Sequence, residues 1–72
     1  MAQLVVFENQ VMSTDAIAFF QLHDSAGTIE VLLKSGHQQR LVFKSEAKAR
    51  SAFEDLKHAF ALIGYGTTYL QS

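Results

Sequence analysis

The chain has 72 residues, of which 49% are hydrophobic, and 6 Lys and Arg against 7 Asp and Glu leave a formal net charge of -1. A charge this small does not draw a protein to nucleic acid or to an anionic membrane. The absence of cysteine excludes disulfides and thiolate metal sites. No apolar run approaches the roughly 20 residues of a spanning helix. No basic residue precedes an apolar run near the N-terminus, so we expect no signal peptide, no membrane association and a cytoplasmic location.

A chain of this length is expected to form a single domain, 1–72, with a small core. Small cores usually need added stabilisation from tight packing, a disulfide, a metal or a second subunit. Cysteine is absent and the three histidines are scattered, so neither a disulfide nor a metal is expected. The composition therefore favours a homodimer.

Segments rich in β-branched and aromatic residues alternate with turn residues along the first two thirds of the chain. The predicted strands cover residues 3–8, 16–23, 28–34 and 38–44. The loop 24–27 begins with Asp and ends with Gly, and the loop 35–37 contains Ser and Gly, as hairpin loops often do. Val11 and Met12 are compatible with a further short strand.

A helix is predicted over residues 46–63. Its apolar positions recur at steps of three and four: Ala49, Ala52, Phe53, Leu56, Ala59, Phe60 and Ile63. Ser45 is the expected N-cap, and Gly64 is expected to end the helix. The tail, 64–72, has strand-like residues. Its two tyrosines, Tyr65 and Tyr69, are candidate anchors for a protein partner, although packing against the end of the sheet is the plainer expectation.

The loops predict which side chains share a face of the sheet. The four-residue loop opposes Phe20 to Val31. A three-residue loop at 35–37 opposes Leu41 to Val31, whereas a two-residue loop would place Arg40 there, in the core. The predicted inner face is Ala18, Phe20, Leu22, Ile29, Val31, Leu33, Leu41 and Phe43. The predicted fold is α+β, a four-stranded antiparallel meander with one C-terminal helix packed on one face in two layers.

One helix covers only one face of such a sheet, so the other face is left without a cover. The predicted interaction surface on it consists of Ile17, Phe19, Leu32, Arg40 and Val42, with Phe19, Leu32 and Arg40 side by side. Exposed apolar side chains in this number mark a contact surface. In a two-fold dimer, Glu30 and Arg40 are expected to pair across the axis.

The sequence predicts a non-enzymatic interaction or regulatory module that self-associates through the open sheet face or a sheet edge. The same surfaces are suited to another protein partner. The alternative is a single-stranded nucleic-acid platform, in which Phe19 stacks on bases and Lys34, Arg40 and Lys44 meet phosphates. The order of strands and helix is similar in layout to transcriptional-coactivator-type single-strand binders. The net charge of -1 argues against this alternative.

Catalysis is not expected. The chain lacks a nucleophile elbow, a phosphate loop and a metal-binding His pair. Ser13, Asp15 and His37 are chemically capable residues, but no spacing brings them together. We therefore predict no catalytic residue, no metal and no cofactor.

Overall fold

A computed structural model describes residues 3–62 and 65–71 of the chain. Within these residues lie the strands and the helix of an α+β fold, which confirms the predicted class. The elements are β1 (Gln3–Phe7), β2 (Gln10–Ser13), β3 (Ile17–His23), β4 (Thr28–Leu33), β5 (Gln38–Val42), α1 (Glu46–Ala61) and β6 (Gly66–Leu70). Short 3-10 turns at Thr14–Ala16 and Asp24–Ala26 precede β3 and β4.

The strands form two three-stranded sheets, not the single four-stranded meander predicted. The first sheet has the order β2-β1-β6 and the second sheet has the order β3-β4-β5. β1 pairs with β2 in antiparallel fashion and with β6 in parallel. Both edges of β1 are therefore occupied, by the strand that follows it directly and by the strand that returns after the helix. This leaves no edge on which β1 could join the meander.

The two hairpins of the second sheet compare differently with the sequence prediction. Phe20 lies opposite Val31, as predicted. Leu41 lies opposite Ile29, and Gln39 takes the predicted place of Leu41 opposite Val31. The pairing of β4 with β5 is thus shifted by two residues from the predicted pairing. Because side chains alternate with a period of two, Leu41 still points to the core.

The turn between β4 and β5 explains this shift. The loop occupies 34–36, not 35–37, and is closed by a hydrogen bond of 2.8 Å from the Leu33 amide to the His37 carbonyl. Gly36 has a φ of +97°. Three-residue hairpin loops place a left-handed residue last, a position that glycine accepts most readily. Gly36 therefore fixes the end of the loop.

A β-bulge at the start of β3 changes the face of one predicted surface residue. Ile17 lies opposite Leu33 and Phe19 opposite Leu32, so Ala18 is the extra residue. The bulge turns Ile17 into the core, where it is 4% exposed, and turns Ala18 outwards. The predictions that Ile17 lies on the open face and Ala18 in the core are both wrong.

The helix begins as predicted. The Ser45 hydroxyl accepts a hydrogen bond of 3.1 Å from the Lys48 amide, which is an N-cap. The helix ends at Ala61, and the predicted terminal residues Ile63 and Gly64 lie outside the described residues. The buried members of its stripe are Ala49, Ala52, Leu56 and Ala59.

The core lies where the inner faces of both sheets meet the helix. It consists of Val5, Phe7, Met12, Ile17, Ile29, Val31, Leu41, Phe43, Ala49, Ala52, Leu56, Ala59 and Leu70. The rings of Phe7 and Phe43 join the first sheet to the end of the second, with centroids 4.9 Å apart. Phe20 packs edge-on against Phe53 of the helix, with centroids 5.4 Å apart. This packing uses the inner face of each sheet and leaves both outer faces exposed.

Candidate interaction surface

The outer face of the second sheet is formed by alternate residues of β3, β4 and β5. The pairing of these strands aligns its side chains in three rows, Phe19–Leu32–Gln38, Gln21–Glu30–Arg40 and His23–Thr28–Val42. No described strand or helix covers these rows. We call these nine residues the outer face of the second sheet.

Four of the five residues predicted for the interaction surface lie on this face. Phe19 and Val42 are 48% and 61% exposed, and Leu32 is half-buried beside Phe19. Arg40 is exposed, but it lies beside Glu30 and not beside Leu32. The two-residue change in register moved it. The predicted row of Phe19, Leu32 and Arg40 is therefore wrong in its third member.

A depression of about 220 Å³ lies on this face. It is lined by Phe19, Gln21, Glu30, Val31, Leu32 and Gln38. Phe19 and Leu32 contribute apolar groups to its lining, and Gln21, Glu30 and Gln38 contribute polar groups. The depression therefore fits an inserted group that has both an apolar and a polar part.

The charges of the face are concentrated in its middle row. Glu30 Oε1 lies 2.5 Å from His23 Nε2, a diagonal contact between neighbouring strands. On its other side Glu30 faces Arg40 of β5. Negative and positive groups are therefore adjacent at the centre, with apolar side chains towards both ends of the face.

The residues proposed for nucleic-acid binding do not form one positive track. Lys34 lies in the turn after β4, near the Phe19 row, whereas Lys44 follows β5 at the opposite end of the sheet. Arg40 lies between them, directly opposite Glu30 on the neighbouring strand. Only Phe19 and Arg40 of this set are on the outer face itself.

The tail tyrosines lie on or next to the first sheet. Tyr65 is 84% and Tyr69 is 68% exposed, so neither is packed away against the end of a sheet. Tyr69 lies in a row with Val6 and Val11 across β6, β1 and β2. The outer face of the first sheet thus has its own exposed side chains: Leu4, Val6, Val11, Ser13, Thr67 and Tyr69. Sequence analysis missed this face because nothing local predicts the pairing of the tail with β1.

The polar residues considered for catalysis serve local turns. The Ser13 hydroxyl accepts a hydrogen bond of 3.2 Å from the Asp15 amide, and the Ser35 hydroxyl lies 3.0 Å from His37 Nδ1. In the part of the chain that is described, no three His, Asp or Glu side chains are grouped to hold a metal ion. None of the described helices is long and apolar enough to cross a membrane.

The chain matches no protein-family model, no curated protein and no solved structure. A functional proposal therefore has to rest on the geometry and chemistry of these surfaces.

Proposed function

We propose that this protein is a non-enzymatic interaction module that assembles as a homodimer through the outer face of the second sheet. One observation carries the proposal. Exposed Phe19 and Val42, together with Leu32, flank two oppositely charged residues that face each other on neighbouring strands, Glu30 and Arg40. The solvent-facing side of a sheet rarely exposes this much apolar surface without a partner.

The charge pattern favours a second copy as the partner. A two-fold axis that runs along the strands, midway between β4 and β5, exchanges these two strands. Glu30 then faces Arg40 of the partner subunit, and no like charges meet. An axis along β4 itself would set the two Glu30 side chains against each other. The face is therefore self-complementary in one arrangement and repulsive in its neighbour, which gives the dimer a defined register.

The composition of the face also fits an interface between folded subunits. Such interfaces combine a buried apolar part with a polar rim and about one hydrogen bond per 100–200 Å². Across this axis Leu32 faces Gln38 and Val42 faces Thr28 of the partner subunit, so Leu32 and Val42 supply the apolar part, and Phe19 on β3 lies at the rim. In the dimer, a side chain of the partner subunit would enter the depression beside Phe19.

Two valines provide a matched test. Val42, on the proposed interface, is 61% exposed, and Val11, on the outer face of the first sheet, is 63% exposed. Sedimentation velocity should show that Val42→Asp weakens assembly, because it buries an unpaired charge, whereas Val11→Asp leaves assembly unchanged. Equal effects of the two substitutions, or none from Val42→Asp, would contradict the proposed interface.

A further inference from the structure

Among the described strands, β6 has a free edge with little protection against pairing. β6 pairs with β1 along one side, and no other described strand pairs with it along the other. Its sequence, Gly-Thr-Thr-Tyr-Leu, contains no charge and no proline. Strand edges are usually blocked by charges, proline, bulges or short length. Of the other edge strands, β3 is bulged and β5 carries Arg40, whereas β2 also lacks charge and proline but, at 4 residues, is one residue shorter than β6.

We propose that this edge is a second docking site, and that its occupant is β6 of another copy of the chain. The two strands pair in antiparallel fashion about a two-fold axis. The two first sheets thereby join into one sheet of six strands. This interface lies on a different sheet from the one proposed for the homodimer and does not depend on it.

The alternation of side chains restricts the register of this pairing. Thr67 and Tyr69 point to the outer face of the first sheet, and buried Leu70 points to the inner face. The two outer faces lie on the same side of the joined sheet only if one residue of β6 lies directly opposite its own copy, with the two-fold axis between them. If Thr68 is this residue, all five residues of β6 are paired with the partner strand. Thr67 then lies opposite Tyr69, and Gly66 opposite Leu70.

The surroundings of β6 favour a second copy of this strand as the occupant. The outer face of the first sheet carries no charged side chain, so two copies meet without repulsion. Tyr69 is 68% exposed in one chain. In the joined sheet its ring packs on Thr67 of the partner subunit, a cross-strand pair of an aromatic and a β-branched residue. The row of Val11, Val6 and Tyr69 then continues into the partner.

A single cysteine tests the axis directly, since the chain has no cysteine of its own. Directly opposed residues of antiparallel strands have Cα atoms about 4.5–5.5 Å apart, within the range of about 4.4–6.8 Å that a disulfide spans. Thr68→Cys should therefore form a disulfide-linked dimer under mild oxidation. Thr67→Cys, its neighbour, lies opposite Tyr69 and should cross-link far less. Both are made with Val42→Asp, so that the other interface does not contribute.

A charge pair supplies a second readout that does not depend on disulfide geometry. In Thr67→Lys with Tyr69→Lys, lysines face each other across the joint, and the association of the Val42→Asp protein should be lost. In Thr67→Glu with Tyr69→Lys, opposite charges meet and association should return. Both positions are exposed in the single chain, so we expect either variant to keep the fold. Equal cross-linking of the two cysteine variants, or equal association of the two charge variants, would overturn the proposal, as would capture of an unrelated extended peptide without self-pairing. Either result leaves the test with Val42 and Val11 standing.

Discussion

Glu30 and Arg40 lie directly opposite each other on β4 and β5, at the centre of the outer face of the second sheet. The Glu30 carboxylate also contacts His23 on β3. Apolar residues occupy the two ends of the same face. This arrangement of an acid beside a base is what makes the face complementary to its own two-fold copy.

Charge reversal at these two positions should separate charge complementarity from simple apolar contact. Glu30→Arg places like charges opposite each other in the dimer, and Arg40→Glu does the same with acids. We expect each to raise the dissociation constant at least about tenfold, which corresponds to about 1.4 kcal/mol. The double exchange, Glu30→Arg with Arg40→Glu, should restore most of the affinity. Sedimentation equilibrium measures all four proteins, and unchanged affinity of both single variants would argue against the proposed register.

Single-stranded nucleic acid should not bind. Lys34 and Lys44 lie at opposite ends of the second sheet and Arg40 adjoins Glu30, so no continuous positive track follows the face. Fluorescence anisotropy of a labelled oligonucleotide at low salt should therefore stay flat as protein is added. Saturable binding that weakens with salt and with Lys34→Ala would support the nucleic-acid platform instead.

The bulge at Ala18 predicts opposite roles for its two neighbours. Ile17 is buried, so Ile17→Ala should lower the free energy of unfolding by about 2–4 kcal/mol. Phe19 is about half exposed, and Phe19→Ala should lower it by less than about 1 kcal/mol. Urea unfolding at one protein concentration measures both values. A larger effect of Phe19→Ala than of Ile17→Ala would indicate that Ile17 lies on the outer face, as the sequence predicted.

The turn between β1 and β2 contains a residue in an unfavourable conformation. Glu8 has a φ of 53°, in the left-handed region where a side chain is strained. Glu8→Gly should therefore raise the free energy of unfolding by about 0.5–1 kcal/mol. Asn9→Gly is the control, because Asn9 has no positive φ and gains nothing from glycine. Thermal unfolding should show a higher midpoint for Glu8→Gly alone.

The parts of the fold that depend on local chemistry could be predicted from the sequence. The spacing of Ala49, Ala52, Leu56 and Ala59 predicted the buried side of the helix, and Ser45 predicted its start. Alternation predicted that Val31 and Leu41 point to the core. Phe19, Leu32 and Val42 followed from the same alternation, which is why most of the candidate surface could be foreseen.

The remaining features depend on interactions that the local sequence does not specify. Nothing around Ala18 distinguishes a bulge from a regular strand, and so Ile17 was assigned to the wrong face. The pairing of β6 with β1 forms after the helix has returned the chain, between segments about sixty residues apart. The position of the loop between β4 and β5, in contrast, could have been predicted, because Gly36 indicates where the loop ends. A glycine in the last position of a three-residue loop predicts 34–36, and with it the position of Arg40 opposite Glu30.

The mass of the protein in solution tests the central claim most directly. Sedimentation equilibrium of the wild type and of Val42→Asp, from low to high micromolar concentration, compares the assembled mass with the chain mass of 8.0 kDa. We expect the wild type to reach at least twice the chain mass, and Val42→Asp to have a smaller mass than the wild type because it loses one interface. A wild type that stays at 8.0 kDa at high micromolar concentration, or a Val42→Asp variant with the mass of the wild type, would contradict the proposed dimer.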